Sequence, residues 1–230
     1  MSGCPFHTLF GLRKDLPPGI PDRIRKLPID ERGYPVPWFV DWIDGKPEFR
    51  AMDGRKFDRC ITEKLCWVCG ERLKKHVAFV LGPMCTITRT SAEPPSHLDC
   101  AEWSVKACPF LSKPQMKRRE DDLINNDNTQ GRVAGVAILR NPGVSAVWIT
   151  TRYTIFPDGR GRPLIEVGDP TAVTWWREGR DATRGECLES IESGLPLLYN
   201  ADPGDPTARQ EIDRRYEAMK CLLPKAEVPA

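Results

Sequence analysis

A chain of 230 residues with 40% hydrophobic and 29% charged residues can bury a sizeable core, which excludes a wholly disordered protein. A formal net charge of only +2 excludes a global field drawing the chain to nucleic acid or membrane, so any basic surface has to be local. No stretch approaches the roughly 20 apolar residues that span a bilayer.

The chain begins with an arm rich in proline and charge. Its opening residues, Met1 to Lys14, lack the basic start, apolar run and small-residue cleavage site of a secretory signal, so a cytoplasmic setting with no membrane partner is expected. Residues 1–33 carry Pro17, Pro18, Pro21 and Pro28 and read as irregular chain. From Tyr34 the pattern changes. Trp38, Val40 and Trp42 alternate with Phe39, Asp41 and Ile43, Asp44-Gly45 is a hairpin turn signal, and Pro47 to Met52 is the expected return strand.

Residues 60–112 hold the chemistry. Nine cysteines in a reducing compartment point to metal binding or buried thiols rather than disulfides. Cys66-Trp67-Val68-Cys69-Gly70 is a knuckle: thiolates two residues apart reach one ion from a tight turn, and Gly70 tolerates the positive φ that turn needs. Two β-prone runs follow, His76 to Leu81 and Cys85 to Thr90, separated by Gly82-Pro83-Met84, and are expected to form a hairpin. Ser96 is the expected N-cap of a helix from His97 to Cys108. His97 and Cys100, three residues apart and about 60° around its axis, then face one point.

Knuckle, hairpin and a helix whose first turn gives two ligands is an order similar to that of a treble-clef zinc finger. Cys66, Cys69, His97 and Cys100 are therefore the expected ligands of one structural Zn²⁺, since four protein donors fill the tetrahedral shell. Three thiolates, one neutral imidazole and the ion sum to −1, a charge that Arg72, Lys74 and Lys75 could offset. Cys60, Cys85 and Cys108 lie near enough in sequence to join or replace a ligand. With Cys4, Cys187 and Cys221 they otherwise read as free thiols.

Lys113 to Asp122 is charge-dense and largely self-neutralising, and Asn125 to Gly131 is polar loop. The organisation expected is thus an arm over 1–33, a zinc-binding region over 34–122, and an α+β region over 132–224, separate or sharing one core with the preceding part. In the last, Arg132 to Leu139 has strand length and Asn141-Pro142-Gly143 is a turn. Val144 to Phe156 reads as one long strand, turning at Asp158-Gly159-Arg160-Gly161 into Pro163 to Val167. Asp169-Pro170 resembles a helix start, with a short helix through Trp175 and Trp176 that stops at Gly179. Thr183 and Glu186 have capping-box spacing for a helix ending at Gly194. Ile212, Tyr216, Met219 and Leu223 form the stripe of a last helix from Asp205-Pro206 to Pro224. The class is α+β, with a small antiparallel sheet and helices in the C-terminal half.

Catalytic signatures do not fit. A zinc deaminase needs Glu two residues after its histidine or cysteine ligand, whereas His97 is followed by Asp99, and no proline precedes Cys66. A His-Asn-His nuclease would need partners for His76 that the three histidines do not supply. Phosphate loops and a GxSxG elbow are absent from the sequence. Arg152, Arg160, Arg162, Arg177 and Arg180, close in sequence to Trp175 and Trp176, are the candidate nucleic-acid contacts, because guanidinium groups hold phosphates and indoles stack on bases.

The stretches Tyr34-Pro-Val-Pro-Trp38, Cys66-Trp-Val-Cys-Gly70, Gly82-Pro-Met-Cys85, Ser91-Ala-Glu-Pro-Pro-Ser-His97 through Cys-Pro-Phe110, and Gly179-Arg-Asp-Ala-Thr183 resemble an uncharacterised family of bacterial and phage proteins over most of the chain. The resemblance implies a bacterial or phage cytosolic setting and carries no activity. Two functions follow from the sequence. One is a non-enzymatic, zinc-stabilised protein that binds a protein or nucleic-acid partner. The alternative is an enzyme acting on a nucleotide or nucleic acid, with its site between the two halves.

Overall fold

Val77-Ala-Phe-Val-Leu81 is apolar at every position, the pattern of a strand covered on both faces rather than one. In the computed structural model, which describes residues 11–112, 141–201 and 206–226, this run is β3 (Val77–Leu81), the edge of a sheet that draws on both halves of the chain. Its partner is β5 (Ser145–Thr150), antiparallel in the register Val77↔Thr150 to Leu81↔Ala146. Next come β8 (Pro170–Arg177) and the short β9 (Arg180–Asp181), in the spatial order β3-β5-β8-β9.

A second antiparallel sheet has the order β4-β7-β6, from Thr90–Ser91, Pro163–Val167 and Tyr153–Pro157. It closes over one face of the first, burying Phe79, Leu81, Trp148, Ile165 and Val167 together. On the opposite face Ala78 and Val147 pack against Ala101 and Val105 of helix α4 (Leu98–Ala107). A third cluster joins Met84 and Ile87 to Val144, Ala146 and Trp175, with Ile191, Met219 and Leu223 from helices near the C-terminus. Residues before 112 and after 141 therefore share cores, and no helix among the described residues is long and apolar enough to cross a membrane.

The N-terminal hairpin has the expected form: β1 (Val40–Ile43) and β2 (Lys46–Met52) are antiparallel, turned by Asp44 and Gly45 at φ 49° and 76°. Helix α1 (Asp22–Arg25) is one turn in otherwise irregular chain, yet its Ile24 is buried. Helix α2 (Gly54–Glu63) starts at an Asp53 cap and stops at Lys64, which has a φ of 56°.

Four local expectations are corrected. Cys85 to Thr90 does not return as a strand: Pro83–Thr88 is helix α3 with Gly82 as N-cap. Proline suits the first helical turn, Thr86 Oγ1 donates to the Pro83 carbonyl at 2.6 Å, and Met84 and Ile87 gain a core. What β3 meets locally instead is a single bridge between Ala78 and Ser96, so the expected hairpin of the zinc element is absent. Val144 to Phe156 breaks at Thr151-Arg152 into β5 and β6, which lie in different sheets.

Pro170 to Arg177 is a strand and not a helix, because tertiary pairing with β5 exploits the β-prone Val173 to Trp176. Asp169 holds Arg89 rather than capping a helix, and Glu178-Gly179 is a positive-φ hairpin turn. Finally, α6 (Arg184–Tyr199) has the expected Thr183–Glu186 capping box but runs on through a buried Gly194 and Pro196. It packs on α7 (Pro206–Met219), which bears the expected Ile212–Tyr216–Met219 stripe. The expected strand Arg132–Leu139 and the charged stretch Lys113–Asp122 lie outside the described residues. The helix after α4, α5 (Pro109–Ser112), is a single turn.

Candidate metal centre

Cys66 to Gly70 forms a tight knuckle. The Gly70 N–H donates to the Cys66 carbonyl at 2.8 Å, and its φ is +74°. A side chain at 70 would also strike the Trp38 ring at 2.7 Å, so glycine is required there on two counts. The bridge Leu65↔Arg72 closes the base of the knuckle. Across from it, His97 occupies the N-cap of α4, one residue later than the capping position expected, and Cys100 lies in the first turn. The Ser96–Ala78 bridge ties that helix start to β3, which fixes where both donors emerge.

The four donor atoms of Cys66, Cys69, His97 and Cys100 lie within 4.8 Å of one another and could hold a metal ion. Three of the four residues are buried, and His97 is half-buried. The Cys69 Sγ to His97 Nδ1 distance is 3.4 Å. A tetrahedral zinc with bonds of about 2.3 Å to sulfur and about 2.0–2.1 Å to nitrogen would set that separation near 3.5 Å, so this pair stands at a spacing a tetrahedral site requires. His97 Nε2 lies 3.1 Å from the Arg72 carbonyl. Donation there leaves Nδ1 as the free lone pair facing the thiols, the outer hydrogen bond that orients a ligating imidazole.

Electrostatics lead to the same place. Burial pushes the Cys66 thiol up, but hydrogen bonds with Cys100, Cys69 and His97 outweigh it and hold it well below the usual thiol range. Cys100 is pushed far up, first by its bonds with Cys66 and Cys69 and then by burial. Burial pulls His97 down, yet its bonds to Cys66 and Cys69 carry it up to about 10. Without a cation, then, Cys66 favours the thiolate while Cys100 and His97 hold their protons; three thiolates together need a central positive charge.

The remaining cysteines are elsewhere. Cys60, buried beside Phe57 and Trp67, is pushed up to about 12, chiefly by burial, and stays a thiol. Cys85 belongs to α3 and Cys108 caps the end of α4. Neither joins the grouped donors. A cation beside the thiols was missed by sequence reasoning. Arg23, from the N-terminal arm, sits in the field of Cys100 and Cys69 and pairs with Asp99 at 3.3 Å. Leu16, Ile20, Ile24 and Leu27 of that arm pack on the cluster. A search by cysteine spacing cannot find Arg23, since Arg23 lies 43 positions before Cys66. Arg72 contributes its carbonyl, and His76 is exposed ahead of β3.

The five candidate arginines do not form one surface patch with the tryptophans. Arg177 and Arg180 both hold Glu186, at 3.5 and 2.6 Å. Arg162 is locked on Asp158 in the β6–β7 turn, where exposed Arg160 also donates its backbone N–H to Asp158. Trp175 is buried and donates to the Leu222 carbonyl, while Trp176 is covered by Lys106 at 4.7 Å, so neither indole offers an open face of the expected kind. Arg152, in the β5–β6 turn, and Arg160, in the β6–β7 turn, are the two of the five that are exposed and have no side-chain ion pair among the described residues.

Comparison of the chain with protein-family models, with curated proteins and with solved structures gives no match.

Proposed function

We propose that this is a zinc-stabilised binding protein, with Cys66, Cys69, His97 and Cys100 as the ligands of a structural Zn²⁺ and a protein or nucleic acid as its partner. The observation that carries the reading is the closed donor set: four soft or imidazole donors within 4.8 Å, largely buried. Such a set suits Zn²⁺ and leaves no coordination position for a substrate. The metal then rigidifies the knuckle, the start of α4 and, through the Ala78–Ser96 bridge, the edge strand of the shared sheet.

The alternative, an enzyme with its site between the halves, has one observation in its favour: Glu166 and Asp169 line a cleft there. Both carboxylates are engaged, Glu166 by Thr154 Oγ1 and Asp169 by Arg89. The test of the binding reading is elemental analysis of the purified protein. About one zinc per chain is expected, with loss of the folding transition when a strong chelator removes it. A metal-free protein that unfolds cooperatively would refute the zinc assignment.

A further inference from the structure

Beside the knuckle, an open cleft of about 1190 Å³ runs between the two sheets and α7. Its charge is the unusual feature. Lys64, Lys74, Lys75 and Arg152 line it, all exposed, and their side chains make no ion pair or hydrogen bond among the described residues. Arg89, Arg214 and Arg215 line it as well, held by Asp169 and Glu211. Seven basic residues therefore face two lining carboxylates, Glu166 and Asp169. With Glu211, which holds Arg214 and Arg215, counted as well, the local excess is four, still above the +2 of the entire chain. A concave wall of one sign focuses its field on the space it encloses.

The cations are held in place from behind. The Leu73 N–H donates to the Lys64 carbonyl at 2.8 Å, which sets Lys64 beside Lys74 and Lys75 at the base of the knuckle. The Arg152 carbonyl accepts from the Gly168 N–H at 3.0 Å and from Thr150 Oγ1 at 3.1 Å. Gly168 has no Cβ to obstruct that approach. Between these two basic edges the lining is partly apolar: Tyr153 and Ile155, two residues apart on β6, both line the cleft, Ile155 42% exposed and Tyr153 half-buried with its ring edge-on to Phe79 at 5.7 Å.

We propose that this cleft binds a single strand of nucleic acid, with Lys64, Lys74, Lys75 and Arg152 on its phosphates and Tyr153 and Ile155 against its bases or sugars. The assignment rests on the binding reading above and names its partner. Free cations flanking an aromatic and an aliphatic side chain are the parts of a strand-binding groove. The volume lies above the range of about 300–1,000 Å³ usual for small-molecule pockets, and the cleft is open, so it suits a segment of a polymer. A duplex is read by convex elements entering its grooves, and this surface is concave.

The test is fluorescence anisotropy of the full chain with labelled DNA and RNA oligonucleotides of about 16 nucleotides, single-stranded and duplex. Single strands are expected to bind. If all four free cations meet phosphates, log affinity should fall with log salt at a slope of about −2.8, or about 50-fold between about 50 and 200 mM. Lys74→Glu/Lys75→Glu is expected to lower affinity at least about tenfold and to bring the slope towards about −1.4, with Arg152→Glu acting in the same direction. Arg160→Glu, outside the cleft, should bind as the parent does.

Four results would overturn the proposal: no single-strand binding at low salt, unchanged binding in the cleft variants, an equal loss in Arg160→Glu, or equal or tighter binding of duplex. Competition by a nucleoside monophosphate as effective as that by the oligonucleotide would overturn it too. Zinc content and thermal unfolding, measured on the same samples, separate the two readings. A zinc-replete folded protein that ignores nucleic acid sinks this inference alone, and a zinc-free protein that binds strands sinks only the metal assignment.

Discussion

The candidate metal centre and the basic cleft share a border, but they are built in opposite ways. The four donors come from 35 consecutive residues and converge through two tight local devices, a knuckle with glycine at positive φ and a helix start. The cleft takes its cations from residues as far apart as Lys64 and Arg215, carried on two helix caps, two loops and α7. The first is closed, buried and needs a cation to balance its thiolates. The second is open, solvated and holds a surplus of cations. Proximity in sequence made the centre; strand pairing made the cleft.

That contrast can be broken by mutation. The largest effect is expected at the centre. A structural zinc contributes about 10 kcal/mol or more to folding, as much as the whole stability of many domains, about 5–15 kcal/mol. Cys100→Ser should therefore abolish both bound zinc and the cooperative melting transition, measured by circular dichroism. Lys74→Glu/Lys75→Glu, at exposed positions next to the same knuckle, should leave the melting temperature nearly unchanged. If both variants unfold alike, the division between a structural centre and a working cleft is wrong.

The wall between cleft and core comes next. Trp148 is 1% exposed, packs with Phe79, Ile165 and Val167, and donates Nε1–H to the Gly168 carbonyl at 2.9 Å. Trp148→Ala is expected to cost about 3–5 kcal/mol in denaturant unfolding. Trp42→Ala, at a position 37% exposed on the N-terminal hairpin, should change stability by no more than about 0.5 kcal/mol. A similar loss at both sites would mean that burial is not what holds the shared sheet.

The smallest effect concerns Glu186 and its pH dependence. The bond from Arg180 above all, with help from the Thr183 N–H and the charge of Arg177, holds the Glu186 carboxyl down at about 2, against an ordinary value of 4.5. A carboxylate depressed on folding stabilises the protein above its unfolded value, and that contribution fades as pH falls from 4.5 towards 2. Glu186→Gln should cost less than about 1 kcal/mol at pH 7, since the pair is partly solvated and glutamine still fits the capping box. The gap between parent and variant should close on acidification. A gap that is constant with pH would show that the charge contributes nothing.

How far the sequence could be read follows the range of the forces involved. Asp44-Gly45, Gly70, the Thr183–Glu186 box and the CxxC and HxxC spacings act within a few residues, and each stands where the sequence places it. The α+β class, with antiparallel strands, is equally legible from alternation and helical stripes. Gly82-Pro83 and Asp169-Pro170 mark the limit of such reading. Both dipeptides allow a helix start, yet the first begins α3 and the second begins β8. Intrinsic preference differs little between them. The decision belongs to what lies opposite: a core waiting for Met84 and Ile87 in one case, and an open edge of β5 in the other.

The sequence by itself determined the grouped Cys3His donor set and the turns, because a chelating pair and a positive-φ glycine depend on bonds spanning a few residues. Only the tertiary structure decided that β3 pairs with a strand some 70 residues away, that the arm supplies Arg23 to the thiols, and that the tryptophans proposed for stacking lie covered. It also decided which cations stay free. Neighbours in the chain need not meet in space, and Arg177 and Arg180 meet on Glu186 only because β8, β9 and α6 bring them there. Coulomb energy depends on distance in space, and sequence separation carries none of that information.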